Sequence, residues 1–224
     1  MTISLAGRCA RTGAVGGVIS SSSPAVASRC LWVGAHGVVL SQNVTDPVLG
    51  VLGLELLARG YGALGVLSQL TAARANSEWR QLGVLDAAGH GALFTGAKGL
   101  GVTATAQGRD CVAAGNLLAN TDVAAAMVHA FETRPQDSIA DRLLAALEAG
   151  IAAGGEAGPM YSAGIAVHEH DLWPYVDLRV DWSERSPLAD LQLLWKRYQP
   201  QMQDYVNRAR DPERAPSYGV PGNP

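Results

Sequence analysis

Strand-like hairpins alternate with pairs of helical segments along this chain, and that order constrains the fold more than any single motif. Residues 2–9 and 14–23 read as two strands joined by Arg11-Thr-Gly-Ala, where Gly13 tolerates positive φ. A third strand spans residues 37–42. Asp46-Pro47 then supplies a helix cap and a first-turn proline, and the helix that follows to about Arg59 carries Val48, Val51, Leu52 and Leu56 at helical spacing. A second helix covers roughly 62–75. The strand period returns in Arg80–Asp86 and Gly91–Thr95, joined by the turn Ala87-Ala-Gly-His90, and one more strand covers 102–114. Two further helices follow, near 121–133 and from a cap at Asp137 or Ser138. The first places Val123, Met127 and Phe131 on one stripe; the second stacks Ile139, Leu143, Leu147 and Ile151. Gly154-Gly155 ends it. Strands at Ser162–Val167 and Tyr175–Asp181 precede a last helix from Pro187, with Pro200 expected to kink it.

Hairpins do not supply the crossover helices that a parallel βαβ sheet requires. The order fits an α+β protein in which two antiparallel sheets lie face to face, each covered outside by a helix pair: a four-layer αββα sandwich. One domain is expected over residues 1–211, with residues 212–224 an extended tail. The stripe Leu188, Leu191, Trp195, Tyr198, Met202 and Tyr205 of the last helix suits either core or a contact with a second copy.

Hydrophobic residues make up 48% of the chain and charged residues 17%, enough to bury a large core while leaving little charge for the surface. A homodimer or higher homo-oligomer follows as an expectation. Net charge is −3, no basic run occurs, and Lys98 and Lys196 are the only lysines, so nucleic acid is not expected as a partner. Apolar runs stop short of a membrane span, and no basic-then-apolar leader opens the chain. Cys9, Cys30 and Cys111 lack paired spacing and read as reduced core thiols, which points to the cytoplasm. No cofactor and no metal are expected: His168-Glu-His170 offers two imidazoles but no third ligand at suitable spacing.

The chain opens Met1-Thr-Ile-Ser-Leu-Ala-Gly-Arg8. Removal of Met1 would leave Thr2 with a hydroxyl and a free α-amine, a nucleophile and a base in one residue. An α-amine with a pKa of roughly 7.7–8.0 is a workable base near neutrality. With Met1 attached, that nitrogen is an amide and cannot act as one.

Several stretches carry a family resemblance: Thr2-Ile-Ser-Leu-Ala-Gly-Arg8, the Arg11-Thr-Gly turn, Gly53-Leu-Glu-Leu-Leu57, Gln81-Leu-Gly-Val-Leu-Asp86, Thr95-Gly96, Gly115-Asn-Leu-Leu118 and Tyr175-Val-Asp-Leu-Arg-Val-Asp181. In this order they resemble the bacterial proteins grouped as the domain-of-unknown-function family DUF1028, over residues 2 to about 182. That resemblance implies the N-terminal-nucleophile hydrolase fold, an αββα sandwich, and hydrolysis of an amide bond. Asp46, where the family more often has asparagine, and the unusual loop Ser28–Val33 fall in the region expected to shape the pocket.

On this reading Thr2 attacks a carbonyl. Gly115 and Asn116, taken to lie at a strand end before a helix, would supply close backbone approach and a neutral donor for the oxyanion; the alternative is an ordinary loop with an Asn cap. Ser20, Ser21 and Ser22 lie beside the strand of Thr2, to hold its amine or the substrate, unless the serine run is a flexible loop. Arg8 shares a strand face with Thr2 and would anchor a substrate carboxylate. Asp177 is either a substrate contact or part of an ion-pair ladder with Arg179 and Asp181. Glu156 reads as loop surface or as an acid behind the site. The expected substrate is a small, ureido- or carboxylate-bearing amide; the competing reading is an inert protein that binds a small ligand or partner in the same cleft.

Overall fold

Alternation along Thr2–Arg8 (β1) sends Ile3 and Leu5 to one side of a sheet and Ser4 and Ala6 to the other, and both sides are buried. A strand covered on both faces must lie inside a layered molecule. The computed structural model, which describes residues 1–220 and 222, puts β1 inside a six-stranded sheet. Its partners are Val15–Ser21 (β2), Val102–Gly108 (β7), Cys111–Leu118 (β8), Ser162–His168 (β9) and Val176–Val180 (β10), in the order β10-β9-β2-β1-β8-β7. A four-stranded sheet contains Leu31–Gly34 (β3), Gly37–Asn43 (β4), Arg80–Asp86 (β5) and Gly91–Thr95 (β6), in chain order. All pairings between these strands are antiparallel.

Apolar packing ties the helices to particular sheets. Ile3, Leu5 and Ile165 of the larger sheet join Met127 and Phe131 of Asp122–Glu132 (α4), Leu143 and Leu147 of Ile139–Ala152 (α5), and Leu191 and Trp195 of Pro187–Arg210 (α6) in one cluster. Val39, Leu82 and Val84 of the smaller sheet join Leu49 and Leu57 of Pro47–Ala58 (α2) and Val66 and Leu70 of Ala63–Ala73 (α3) in another. A third cluster contains residues of both sheets: Ala6, Ile19 and Val112 meet Val38, Leu40 and Leu85. The protein is therefore mixed α/β, with two antiparallel sheets and helices packed against each.

Val123, Met127 and Phe131 of α4 and Ile139, Leu143 and Leu147 of α5 are buried as expected, with Ile151 only half-buried, and Ser138 is the cap of α5, accepting from the Asp141 amide at 3.1 Å. α2 departs from expectation. Asp46 does cap it, accepting from the Val48 amide, but Val48 and Val51 are exposed and the buried face is Leu49, Gly50, Gly53 and Leu57. The two glycines set that choice: a Cβ at Gly50 would lie 2.1 Å from the Trp32 ring, and one at Gly53 2.7 Å from Val39. The segment taken as a loop contains a short helix, Ala27–Cys30 (α1), and the edge strand β3. The single strand expected at 102–114 is two, β7 and β8, which reverse at Arg109-Asp110 with Asp110 at φ 60°. Cys9, Cys30 and Cys111 are buried and unbridged, and burial pushes the Cys111 thiol up to about 12. Among the described residues no helix is long and apolar enough to cross a membrane.

Of the expected tail, residues 221, 223 and 224 lie outside the described residues. The part before them folds back on α6: Arg208 donates to the carbonyls of Pro216 and Ser217 and stacks 4.0 Å from the Tyr218 ring.

Candidate functional site at the head of β1

β1 begins at a junction. Thr2 pairs with Asn116 of β8 on one side, and on the other the register Ile3↔Ser20 sets Ser21 of β2 level with Thr2. All three residues are buried. The hydroxyls of Thr2 and Ser21 both donate to the Met1 carbonyl, each at 2.5 Å. Ser21 also lies 3.0 Å from the Ser23 hydroxyl, which accepts from Arg29 of α1.

A chain of buried side-chain amides crosses from one sheet to the other behind Thr2, and its direction is fixed at one end. Gln81 Nε2 donates to the backbone carbonyl of Gly115 at 2.9 Å; a carbonyl can only accept, so this end of the Gln81 amide is its nitrogen. Gln81 Oε1 therefore accepts, from Gln42 Nε2 at 2.8 Å and Asn116 Nδ2 at 3.2 Å. Gln42 Oε1 in turn accepts from the Ser4 hydroxyl at 2.7 Å. The same logic turns Asn116 so that its Oδ1 is left buried without a hydrogen-bond partner. A buried acceptor with no donor costs about 1–3 kcal/mol, so it marks a place where a donor belongs.

A second such acceptor lies alongside. Positive φ at Gly154 and Gly155 turns the chain after α5, and Glu156 bridges to Leu118, two residues beyond Asn116. Glu156 is 6% exposed; its Oε2 accepts from the Ser22 amide at 3.1 Å and its Oε1 has no partner. The residue thus joins the ends of β8 and β2, its backbone bridging to Leu118 and its carboxylate reaching the Ser22 amide. Burial pushes its pKa up to about 7, against the opposing pull of the Met1 α-ammonium and the Ser22 hydrogen bonds.

Thr2, Asn116, Ser21 and Glu156 are thus brought together, and the remaining candidates from the sequence take other places. Gly115 and Asn116 lie near the end of β8, which runs two residues further to Leu118 before α4 begins at Asp122, and the Gly115 carbonyl is occupied by Gln81. Ser20 faces the helices, donating to the Ser162 carbonyl at 2.9 Å, because strand alternation opposes it to Ser21. Ser22 contributes its backbone amide, to Glu156. Arg8 shares the face of Thr2 but sits six residues away, about 20 Å at 3.3 Å per residue, bound to Asp110 at 2.9 Å and to the Ala87 carbonyl. Asp177 is three strands across and four residues along from Thr2, exposed, with Arg179 at 3.9 Å.

Asp46 is structural here, capping α2 and pairing with Arg74 at 2.7 Å. β9 ends at His168, which is buried while His170 is exposed, so the two imidazoles do not share a face. Burial lowers the His168 pKa. Gln42, Gln81 and Ser4 are site residues that no motif in the sequence marks, and Glu156, which reads from the sequence as loop surface or as an acid behind the site, is buried. A polar amide at the end of each of two mostly apolar strands, Val38-Val-Leu-Ser-Gln42 and Gln81-Leu-Gly-Val-Leu85, is the signal that could have found the glutamines.

Comparison with known proteins adds the following. Residues 2–191 match the family described as a family of unknown function, DUF1028. A crystal structure of a protein from Silicibacter pomeroyi, assigned to the same family, is similar to this chain at 29% identity, with a TM-score of 0.83 and 93% of each chain covered. No curated protein matches the sequence.

Proposed function

We propose that this chain, which belongs to the DUF1028 family, is an amidohydrolase that uses Thr2 as an N-terminal nucleophile on the C–N bond of a small, ureido- or carboxylate-bearing amide. The two sheets with their flanking helices are read as the four layers of an N-terminal-nucleophile hydrolase, with Thr2 at the head of an inner strand. The observation that carries the reading is the pair of buried, unpartnered acceptors, Asn116 Oδ1 and Glu156 Oε1, around the point where cleavage of the Met1–Thr2 bond would create an amine.

The chemistry follows from that amine. It takes the Oγ1 proton as Oγ1 attacks the substrate carbonyl carbon; the C–N bond breaks and the proton passes to the leaving nitrogen. Water then attacks the acyl ester, with the same amine as base, and releases the acid and Thr2. Asn116 changes role from the one expected: one N–H is held by Gln81, and it is the Oδ1 acceptor that is free, suited to an amine or a substrate N–H. Glu156, buried with one oxygen unpartnered, would hold the α-ammonium of Thr2 electrostatically in its ionised form.

One observation favours a second reading. While the Met1–Thr2 bond is intact, the hydroxyls of Thr2 and Ser21 are both committed to the Met1 carbonyl, and in that state the cleft can only bind. A panel of linear and cyclic amides and ureides, followed by release of amine or ammonia, separates the two. Turnover that vanishes in Thr2→Ala with folding unchanged supports the hydrolase; turnover surviving in that variant refutes it.

A further inference from the structure

The opposite end of β1 holds a different site. Four turns converge there: Cys9–Gly13 after β1, the β5–β6 turn at Ala87–Gly89, the β7–β8 turn at Arg109-Asp110, and the α4–α5 connection around Glu132–Gln136. Between them lies a cavity of about 620 Å³ lined by Arg8, Arg11, Arg109 and Arg142, with Asp110 and Glu132 as the carboxylates. Four guanidiniums against two carboxylates leave an excess of two positive charges, on a chain whose net charge is −3.

The carboxylates are already engaged. Asp110 pairs with Arg8 at 2.9 Å, and Glu132 accepts from the backbone amide of Arg109. Among the described residues, no carboxylate lies within 4 Å of the Arg11, Arg109 or Arg142 guanidinium. Arg142 is the informative one. It is only 6% exposed, donates through Nε to the Phe131 carbonyl at 3.1 Å and lies 3.8 Å above the Phe131 ring. That packing holds the guanidinium against the ring face but gives it no anionic partner. A buried cation without an anion is unfavourable, and a preorganised guanidinium suits a bidentate oxyanion.

We infer that this cavity binds a small dianion of the phosphate class, with Arg142 as its fixed donor and Arg11 and Arg109 closing on it from the rim. The charge excess matches a phosphate dianion and exceeds what one carboxylate supplies. The site is separate from the Thr2 cleft and does not depend on the chemistry proposed there.

Calorimetric titration of inorganic phosphate into the full-length protein at low ionic strength tests it, with succinate as a second titrant and Arg11→Ala/Arg109→Ala as the variant. Both arginines are exposed, so the variant keeps its core. The expected result is one phosphate per chain, bound at least tenfold more weakly by the variant and more tightly than succinate. No heat from phosphate up to the solubility limit, or equal binding by the variant, overturns the site; succinate binding as tightly as phosphate overturns the phosphate assignment.

Discussion

The two ends of β1 differ in what they lack. At Thr2 the buried groups without partners are acceptors, Asn116 Oδ1 and Glu156 Oε1; at Arg8, six residues later in the same strand, the groups without charge partners are guanidiniums, Arg142 above all. One end calls for an N–H-bearing or cationic group and the other for an anion. Strand alternation explains how one segment serves both: Thr2, Ser4, Ala6 and Arg8 share the face turned toward the smaller sheet, apolar in the middle and polar at its ends. The seam between the sheets is closed at Ala6 by Val38, Leu40 and Leu85, so the two sites are kept apart by packing.

The largest expected effect is at the Thr2 end. Thr2→Ala should reduce amide turnover by at least a thousandfold, about 4 kcal/mol of transition-state stabilisation, while circular dichroism and melting temperature stay close to wild type. Next is the amide chain that orients Asn116. Gln81→Leu strips the partners from the Gly115 carbonyl, Gln42 Nε2 and Asn116 Nδ2 and should cost about 2–4 kcal/mol in denaturant unfolding; a loss under 0.5 kcal/mol would show that the chain does not order this end.

Glu156 sharpens the comparison through pH. Its folded pKa of about 7 lies above the ordinary 4.5, so between those values the folded protein retains a proton that the unfolded chain has released. Stability from this group therefore falls as pH rises from about 4.5 to 7, by up to about 3 kcal/mol. Unfolding at pH 5 and pH 7.5 should show that fall in protein that retains Met1, the state to which this pKa belongs, and its removal in Glu156→Gln of the same state; the same fall in both proteins would place the titration elsewhere. The smallest effect belongs to the Arg8 end. Asp110→Asn keeps a residue that tolerates the left-handed backbone at φ 60° but removes the charge facing Arg8, and should cost no more than about 1 kcal/mol. Because it also raises the positive excess of the cavity, it should tighten phosphate binding.

What could be read from the sequence was what repeats. The stripes Val123-Met127-Phe131 and Ile139-Leu143-Leu147 are periodic, and burial follows the period. α2 shows the limit of that rule: its large residues suggested one face, and Gly50 and Gly53 selected another by allowing Trp32 and Val39 to approach. The hairpin between β7 and β8 was missed because Gly108-Arg-Asp110 carries no strong turn dipeptide, yet Asp110 takes the left-handed conformation. In the candidate site, Thr2 and Asn116 were visible as residue types, and Ser21 by its place beside the first strand. The partnership of Gln42 with Gln81 was not, because it forms between strands 39 positions apart. The burial of Glu156 was hidden for a related reason: it follows a double glycine, and its partners Leu118 and Ser22 lie far away in the chain.

The most direct test of the account is intact-protein mass spectrometry of the purified chain after incubation with a β-lactone electrophile, with Thr2→Ala alongside. The account predicts a mass lacking Met1 and a single adduct that maps to Thr2 and is absent from the variant. A mass that retains Met1, or an adduct formed equally by Thr2→Ala, would contradict the N-terminal nucleophile and leave the cleft at the head of β1 as a binding site.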